Sequence, residues 1–285
     1  MLKEKRVLVT GNNGFIGGAM FEYLRSKRSD GYIIVGYDLR KEHNFEPNIE
    51  YVKQLIEAHD INVVMHFGAI SSTAEKDIDK VLRFNYDFTK DLVDLCYEKD
   101  ILLQFSSSAS VYGNKNTTFK ETDTPNPQSP YAISKYLCER YMMNKIMNDG
   151  AMIQAFRYFN VYSVGELIEE HKGGQGSPYS KFYISLLNDQ KIKLFYGSED
   201  YYRDFIHYKD IIDTHLKFID IEEDGIWNLG TGETKSFKEV AELIIDIEDD
   251  IEYIHMPIEI KDQYQEYTCA DMTKMNDTLK RHGKL

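Results

Sequence analysis

The stretch RVLVTGNNGFIGG, residues 6–18, constrains the fold more than any other. Val7, Leu8 and Val9 form a short apolar run of the kind a buried strand needs. Gly11, Gly14 and Gly17 follow at intervals of three, and Ile16, Met20, Tyr23 and Leu24 then recur at helical spacing. The pattern predicts strand, glycine turn, helix. In such a unit Gly11 permits the tight turn and Gly14 lets the backbone approach a pyrophosphate. Gly17 lets helix and strand pack closely. The first N–H groups of the helix have no partner within it and suit a phosphate.

A second predicted strand, YIIVGYDL, reaches Asp38. This acid lies about 20 residues past the last glycine, where a carboxylate can bond both ribose hydroxyls of an adenosine. Asp38 favours NAD, because it would repel a 2′-phosphate. Arg40 and Lys41 follow at once and could accept one, so NADP stays open.

Further strands and helices alternate: INVVMHFGA, DKVLRFNYDFTKDLVDLCYEKD, ILLQFSSSA. Alternation of this kind predicts an α/β fold, a doubly wound parallel sheet of Rossmann type. Ligands of such sheets sit at the carboxyl ends of the strands, which points to residues 66–73 and 106–113. The segment after Asp38 is too short for a full third strand and helix, so the third strand is expected to be shortened. AMIQAFRYFNVYS predicts a sixth strand, and GIWNLGTG, after a helix beginning near Asp210, returns the chain to the sheet. The expected division is a dinucleotide-binding domain, 1–162 plus 203–232, and a smaller α+β substrate domain, 163–202 plus 233–285. Within the latter, Ser236 and Glu239 form a capping box ahead of Val240, Leu243 and Ile244. Asp271 can cap a last helix with Met272, Met275 and Leu279 facing inward.

Bulk properties exclude some functions. A net charge of −13 argues against a sequence-blind grip on nucleic acid, which needs clustered Lys and Arg. Cys96, Cys138 and Cys269 are far apart and suit reduced, packed thiols. No apolar run approaches membrane-spanning length, and the chain starts too close to its first strand to leave room for a signal peptide. A soluble cytoplasmic protein is expected. The acidic run EDDIE, 248–252, reads as a solvated loop rather than a metal site.

In NPQSPYAISKYLCERYM, Ser129 can cap a helix whose first residue is Pro130. Tyr131 and Lys135 are then four apart on one face. An ammonium near a phenol favours phenolate, and the same lysine can bond a ribose. Ser108, at a strand end, could bond a substrate hydroxyl. Together these three could take a proton while a nicotinamide takes hydride. A surface Tyr–Lys pair is the plainer reading of the helix alone.

The glycine turn, Ser108, Tyr131 and Lys135, with RYFNVYS (157–163) and RDFIHYKD (203–210), resemble an extended short-chain dehydrogenase/reductase of the NAD-dependent epimerase/dehydratase family acting on nucleotide sugars. The resemblance covers nearly the whole chain. Dehydratases of the family carry Asp and Glu beside the serine, whereas Ala109 and Ser110 stand here. The segments FGAISSTAE, HKG, KLFYGSEDYYRDF, WNLGTGETKSF and YQEYTCADMT are similar to the ADP-L-glycero-D-manno-heptose 6-epimerase group.

That resemblance implies NAD or NADP bound by Gly11, Gly14, Phe15, Ile16, Gly17, Asp38, Leu39, Arg40, Phe67, Gly68, Ala69, Ser71, Asn85, Tyr131, Lys135 and Val161. It implies a nucleotide-sugar substrate held by Ser108, Asn160, Gly174, Lys181, Phe195, Tyr196, Gly197, Ser198, Arg203 and Tyr264. Gly174 and Lys181 stand where the group has a serine and a histidine. It also implies two acid/base groups, Tyr131 and Lys172, the latter in a glycine-rich loop that could close over the sugar. A homo-oligomer is expected. A 4-epimerase or reductase on another nucleotide sugar remains open, as does a catalytically silent dinucleotide sensor.

Overall fold

The structure, a computed structural model, describes residues 4–39, 46–72, 75–163, 176–245, 250–258 and 265–285. The chain begins with β1 (Lys5–Thr10), α1 (Phe15–Ser26), β2 (Tyr32–Tyr37) and α2 (Ile49–His59). Next come β3 (Val63–His66), a helical turn and a π-helical turn (Leu82–Asp87), and α3 (Phe88–Glu98). Then follow β4 (Leu102–Ser108), β5 (Thr117–Phe119), α4 (Pro130–Asp149), β6 (Ile153–Tyr158) and β7 (Asn160–Tyr162). The second half holds α5 (Pro178–Leu187), β8 (Ile192–Phe195), β9 (Tyr202–Arg203), β10 (Phe205–His207), α6 (Tyr208–Phe218) and β11 (Gly225–Leu229). It ends with β12 (Lys235–Ser236), α7 (Phe237–Glu242), β13 (Ile251–Ile254), β14 (Tyr267–Ala270) and α8 (Thr273–Arg281).

Six parallel strands form the main sheet in the order β11-β6-β4-β3-β1-β2. Their runs are apolar because both faces are covered: Val7, Leu8, Val9, Val64 and Met65 are fully buried. On one face they meet Val52 and Ile56 of α2, Leu92 of α3 and Met142 of α4. On the other, Met20 and Leu24 of α1 and Ile212 of α6 pack on Val7 and Met65. Tyr23 shares the helical period but lies just outside the buried stripe, 41% exposed. β2 is an edge, and among the described residues no strand lies beyond it. Of the segment where a shortened third strand is expected, residues 40–45 lie outside the described residues, and α2, capped by Asn48, follows them.

The strand order reverses between β1 and β3, so the loops after them face one another across a crevice. The remaining described strands form a four-stranded sheet, β12-β9-β14-β5, and two paired ribbons, β10-β7 and β13-β8. Asp204, fully buried between β9 and β10, ties β14 of the four-stranded sheet to the loop after β11 of the main sheet. Its carboxylate accepts from Thr231 N and Oγ1 (both 2.8 Å), Gly232 N (3.0 Å) and Ala270 N (3.1 Å). The capping box of Ser236 and Glu239 forms as expected. α8 differs in one detail: Met272 is its N-cap, while the Asp271 carboxylate accepts from Thr273 N at 2.9 Å.

Candidate active site

Gly11 turns with φ +70°, and a Cβ there would lie 2.7 Å from Gly68 N. A Cβ on Gly17 would lie 2.3 Å from Gly11 O. The turn after β1 is therefore pressed between helix α1 and the loop after β3, and only glycine fits either position. Gly14 caps α1 without a side chain, and the first turn of α1 holds no acid. The helix thus presents its positive end to a cleft of about 570 Å³. Asp38 also reaches the cleft wall, where its carboxylate accepts from Asn13 N at 3.0 Å. A bare helix N-terminus at one point and a buried acid at the edge strand suit the pyrophosphate and ribose of a dinucleotide. These residues therefore fit NAD.

Ser108 ends β4 and Tyr131 and Lys135 share a face of α4, so strand and helix bring all three to the same cleft. Ser129 Oγ accepts from Ala132 N at 3.2 Å, and Pro130 opens the helix, which fixes the turn carrying Tyr131. Lys135 is almost fully buried. Its Nζ donates to Ser106 O at 2.6 Å and sits 4.4 Å from the Phe105 ring centroid. Burial pushes the Lys135 pKa down to about 8, against the opposing pull of Cys138 and Glu139. Tyr131 is partly buried on the cleft wall. Burial raises its pKa, and the hydrogen bond to Ser108 offsets this only in part. The phenolate expected from the Tyr–Lys spacing is therefore not favoured in the protein alone. The amine points to the Ser106 carbonyl and lies 5.9 Å from the Tyr131 ring centroid.

Most sequence-predicted cofactor residues share the cleft wall: Gly11, Gly14, Phe15, Ile16, Gly17, Asp38, Leu39, Phe67, Gly68, Ala69, Ser71, Tyr131, Lys135 and Val161. Ser108 and Asn160 line it as well. Asn85 stands behind the wall, buried, with its amide bonded to Ile70 N, Ile70 O and Ser134 Oγ. Phe195, Tyr196, Gly197 and Ser198 form a turn at the end of β8 and do not line this cleft. The Ser198 hydroxyl is buried and has no partner among the described residues. Arg203 is buried against Phe237 and donates to Tyr202 O and Gln265 O. Lys181 is exposed on α5. Arg40, Lys172, Gly174 and Tyr264 lie outside the described residues.

Sequence reasoning missed several groups around this cleft. Tyr158 is on its wall, with its hydroxyl 2.5 Å from His215 Nε2. Gly176, Ser177 and Pro178 bring the start of α5 to the mouth. Glu139, two turns after Tyr131, accepts from Ser107 Oγ at 2.6 Å and pairs with Arg157. The sequence signals none of these, because a buried acid or phenol reads like an exposed one.

The sequence profile of the NAD dependent epimerase/dehydratase family matches residues 7–230. The chain belongs to this family. As a member it is an NAD-dependent enzyme. An ADP-L-glycero-D-manno-heptose-6-epimerase from Brachyspira hyodysenteriae is 32% identical over 94% of this chain and 90% of that protein. Among solved structures, the Helicobacter pylori ADP-L-glycero-D-manno-heptose-6-epimerase superposes with a TM-score of 0.84 at 21% identity. That match covers 98% of this chain and 92% of that one. A UDP-N-acetylglucosamine 4-epimerase from Methanobrevibacter ruminantium superposes with a TM-score of 0.83 at 24% identity, over 97% and 92% of the two chains. Both structural likenesses concern the fold. Among the described residues no cluster of metal-ligating side chains occurs, and no helix is long and apolar enough to cross a membrane.

Proposed function

We propose that the protein is a nucleotide-sugar epimerase of the ADP-L-glycero-D-manno-heptose 6-epimerase type, inverting an exocyclic C6 alcohol without net redox change. The observation that carries this is the meeting of Ser108, Tyr131 and Lys135 on the wall of the dinucleotide cleft, in a chain 32% identical to a named 6-epimerase. Bound NAD supplies the reversible hydride acceptor. The chain supplies the proton chemistry. Ser108 Oγ orients the sugar hydroxyl, and Tyr131, acting as phenolate, takes the hydroxyl proton and, as phenol, returns it. Lys135, held on the same helix face by its bond to Ser106 O, is placed to bond the cofactor ribose.

After oxidation the planar carbonyl must turn its other face to the same hydride, and its oxygen then points elsewhere. One fixed acid serves both orientations poorly. Lys172, implied by the family resemblance, is the second proton carrier. Ala109 and Ser110 offer no acid/base pair, which speaks against elimination of water. The same absence suits a 4-epimerase. Incubation with ADP-, GDP- and UDP-linked sugars, followed by NMR of the products, separates the readings. Inversion at C6 of an ADP-linked heptose supports the proposal, and inversion at C4 of another sugar replaces it.

A further inference from the structure

Behind the cleft wall, buried polar groups on four segments form a hydrogen-bonded chain. Gly68 N donates to Thr10 Oγ1 at 3.3 Å. Thr10 Oγ1 lies 2.6 Å from His66 Nδ1, and His66 Nε2 lies 2.9 Å from Thr89 Oγ1. Thr89 has a single hydroxyl hydrogen, directed to Asn85 O, with the Cys138 thiol, which also donates to Asn85 O at 3.4 Å, the other group in its reach. Thr89 Oγ1 must therefore accept from His66, which puts the proton on Nε2. His66 is buried and neutral, with burial foremost and Lys135 next in pushing its pKa down to about 3. Nδ1 is then an acceptor, and Thr10 donates to it.

Asn85 continues the chain from the π-helical turn, a geometry that recurs at functional sites. Asn85 Oδ1 accepts from Ile70 N at 2.8 Å, while Nδ2 donates to Ile70 O and to Ser134 Oγ, both at 3.0 Å. Ser134 Oγ donates onward to Tyr131 O at 2.8 Å. A side branch closes the loop: Ser106 Oγ donates to His66 O at 3.0 Å, and Ser106 O receives Lys135. Both ends of the chain are cleft wall, Thr10 and Gly68 at one and Ile70 and Tyr131 at the other.

We propose that His66 is a positioning residue: as its Nε2–H tautomer it orders this chain and holds the dinucleotide turn in register with the helix that carries Tyr131. Neither His66 nor Thr89 lines the cleft, so both act through their neighbours. The proposal rests on the family assignment and not on which sugar is bound. A buried chain of this kind is stiff only while each member is satisfied; one missing acceptor leaves a donor stranded and frees the segments on either side.

The test has two arms. In the dinucleotide-free protein, ¹⁵N NMR of the His66 ring is expected to show protonated Nε2 and bare Nδ1. The opposite tautomer, or a rapidly exchanging mixture, overturns the proposal. In the second arm Thr89→Val keeps the shape and removes both hydrogen bonds, and Thr89→Ser restores them. The valine variant is expected to weaken NAD binding and to lower kcat by about tenfold each, leaving the KM for sugar unchanged, with serine recovering both. A folded Thr89→Val protein with NAD affinity and kcat like the original contradicts the proposal. Should that variant fail to fold, the tautomer decides alone.

Discussion

Glu139 and Arg157 face each other as a buried bidentate pair, Arg157 Nε donating to Oε1 at 2.9 Å and Nη2 to Oε2 at 2.7 Å. The pair joins α4 to β6, and Ser107 Oγ joins it to β4, directly beneath Ser108, Tyr131 and Lys135. Burial alone would lower the Arg157 pKa, but its bonds to Glu139 outweigh burial and leave it raised.

Breaking this pair on one side strands a buried charge. Glu139→Ala is expected to destabilise the protein by about 3–5 kcal/mol. Replacing both members with Met removes both charges and is expected to regain much of that loss. Urea unfolding of the single and double variants checks this. A single variant as stable as the parent would mean that the pair is not load-sharing in the core.

Lys135 gives a pH signature of its own. Its folded pKa is about 8 and its ordinary value 10.5, so between these the unfolded chain binds more protons than the folded one. Stability from this group therefore rises as pH climbs through that window, by about 3 kcal/mol in total. The stability difference between the dinucleotide-free protein and Lys135→Met should grow over the same range. A difference that stays flat, or shrinks, refutes the burial of this amine.

Gly17→Ala places a methyl group against the Gly11 carbonyl, backbone against which nothing flexible can yield. A cost of about 1–3 kcal/mol and a marked loss of NAD affinity are expected. Gly31→Ala is the comparison: φ there is +90° but the space is open, so stability should fall modestly and NAD affinity should hold. Calorimetric titration of both variants with NAD reads the contrast.

Tyr131→Phe removes the proposed proton carrier while keeping the ring. Turnover is expected to drop by roughly 10²–10⁴-fold with NAD affinity little changed. Isothermal titration and a product assay measure the two quantities. Turnover at the original rate would remove Tyr131 from the chemistry.

The parts of this site that could be read in the sequence are local. The glycine turn, Asp38 at the end of β2, the Tyr131–Lys135 spacing and the Ser236–Glu239 capping box each lie within one turn or one strand–helix unit, so spacing alone implies their geometry. The parts that could not be read are pairings across the chain. Glu139 meets Arg157 over 18 positions, His66 meets Thr89 over 23, and Asp204 meets Thr231 over 27. Nothing in the spelling of Glu139 or Asp204 separates a buried acid from a solvated one. The orientation of Lys135 is likewise not local: the four-residue spacing places it on the Tyr131 face of the helix but does not show that the amine turns to Ser106 O.

The central claim is reversible oxidation at C6 with return of the same hydride to the other face. The most direct measurement uses ADP-linked heptose deuterated at C6, with the protein and NAD in ordinary water. The expected product has inverted configuration at C6, keeps its deuterium there, and forms with no accumulation of reduced dinucleotide. A solvent proton at C6 of the product, or reduced dinucleotide released in step with turnover, would contradict the account.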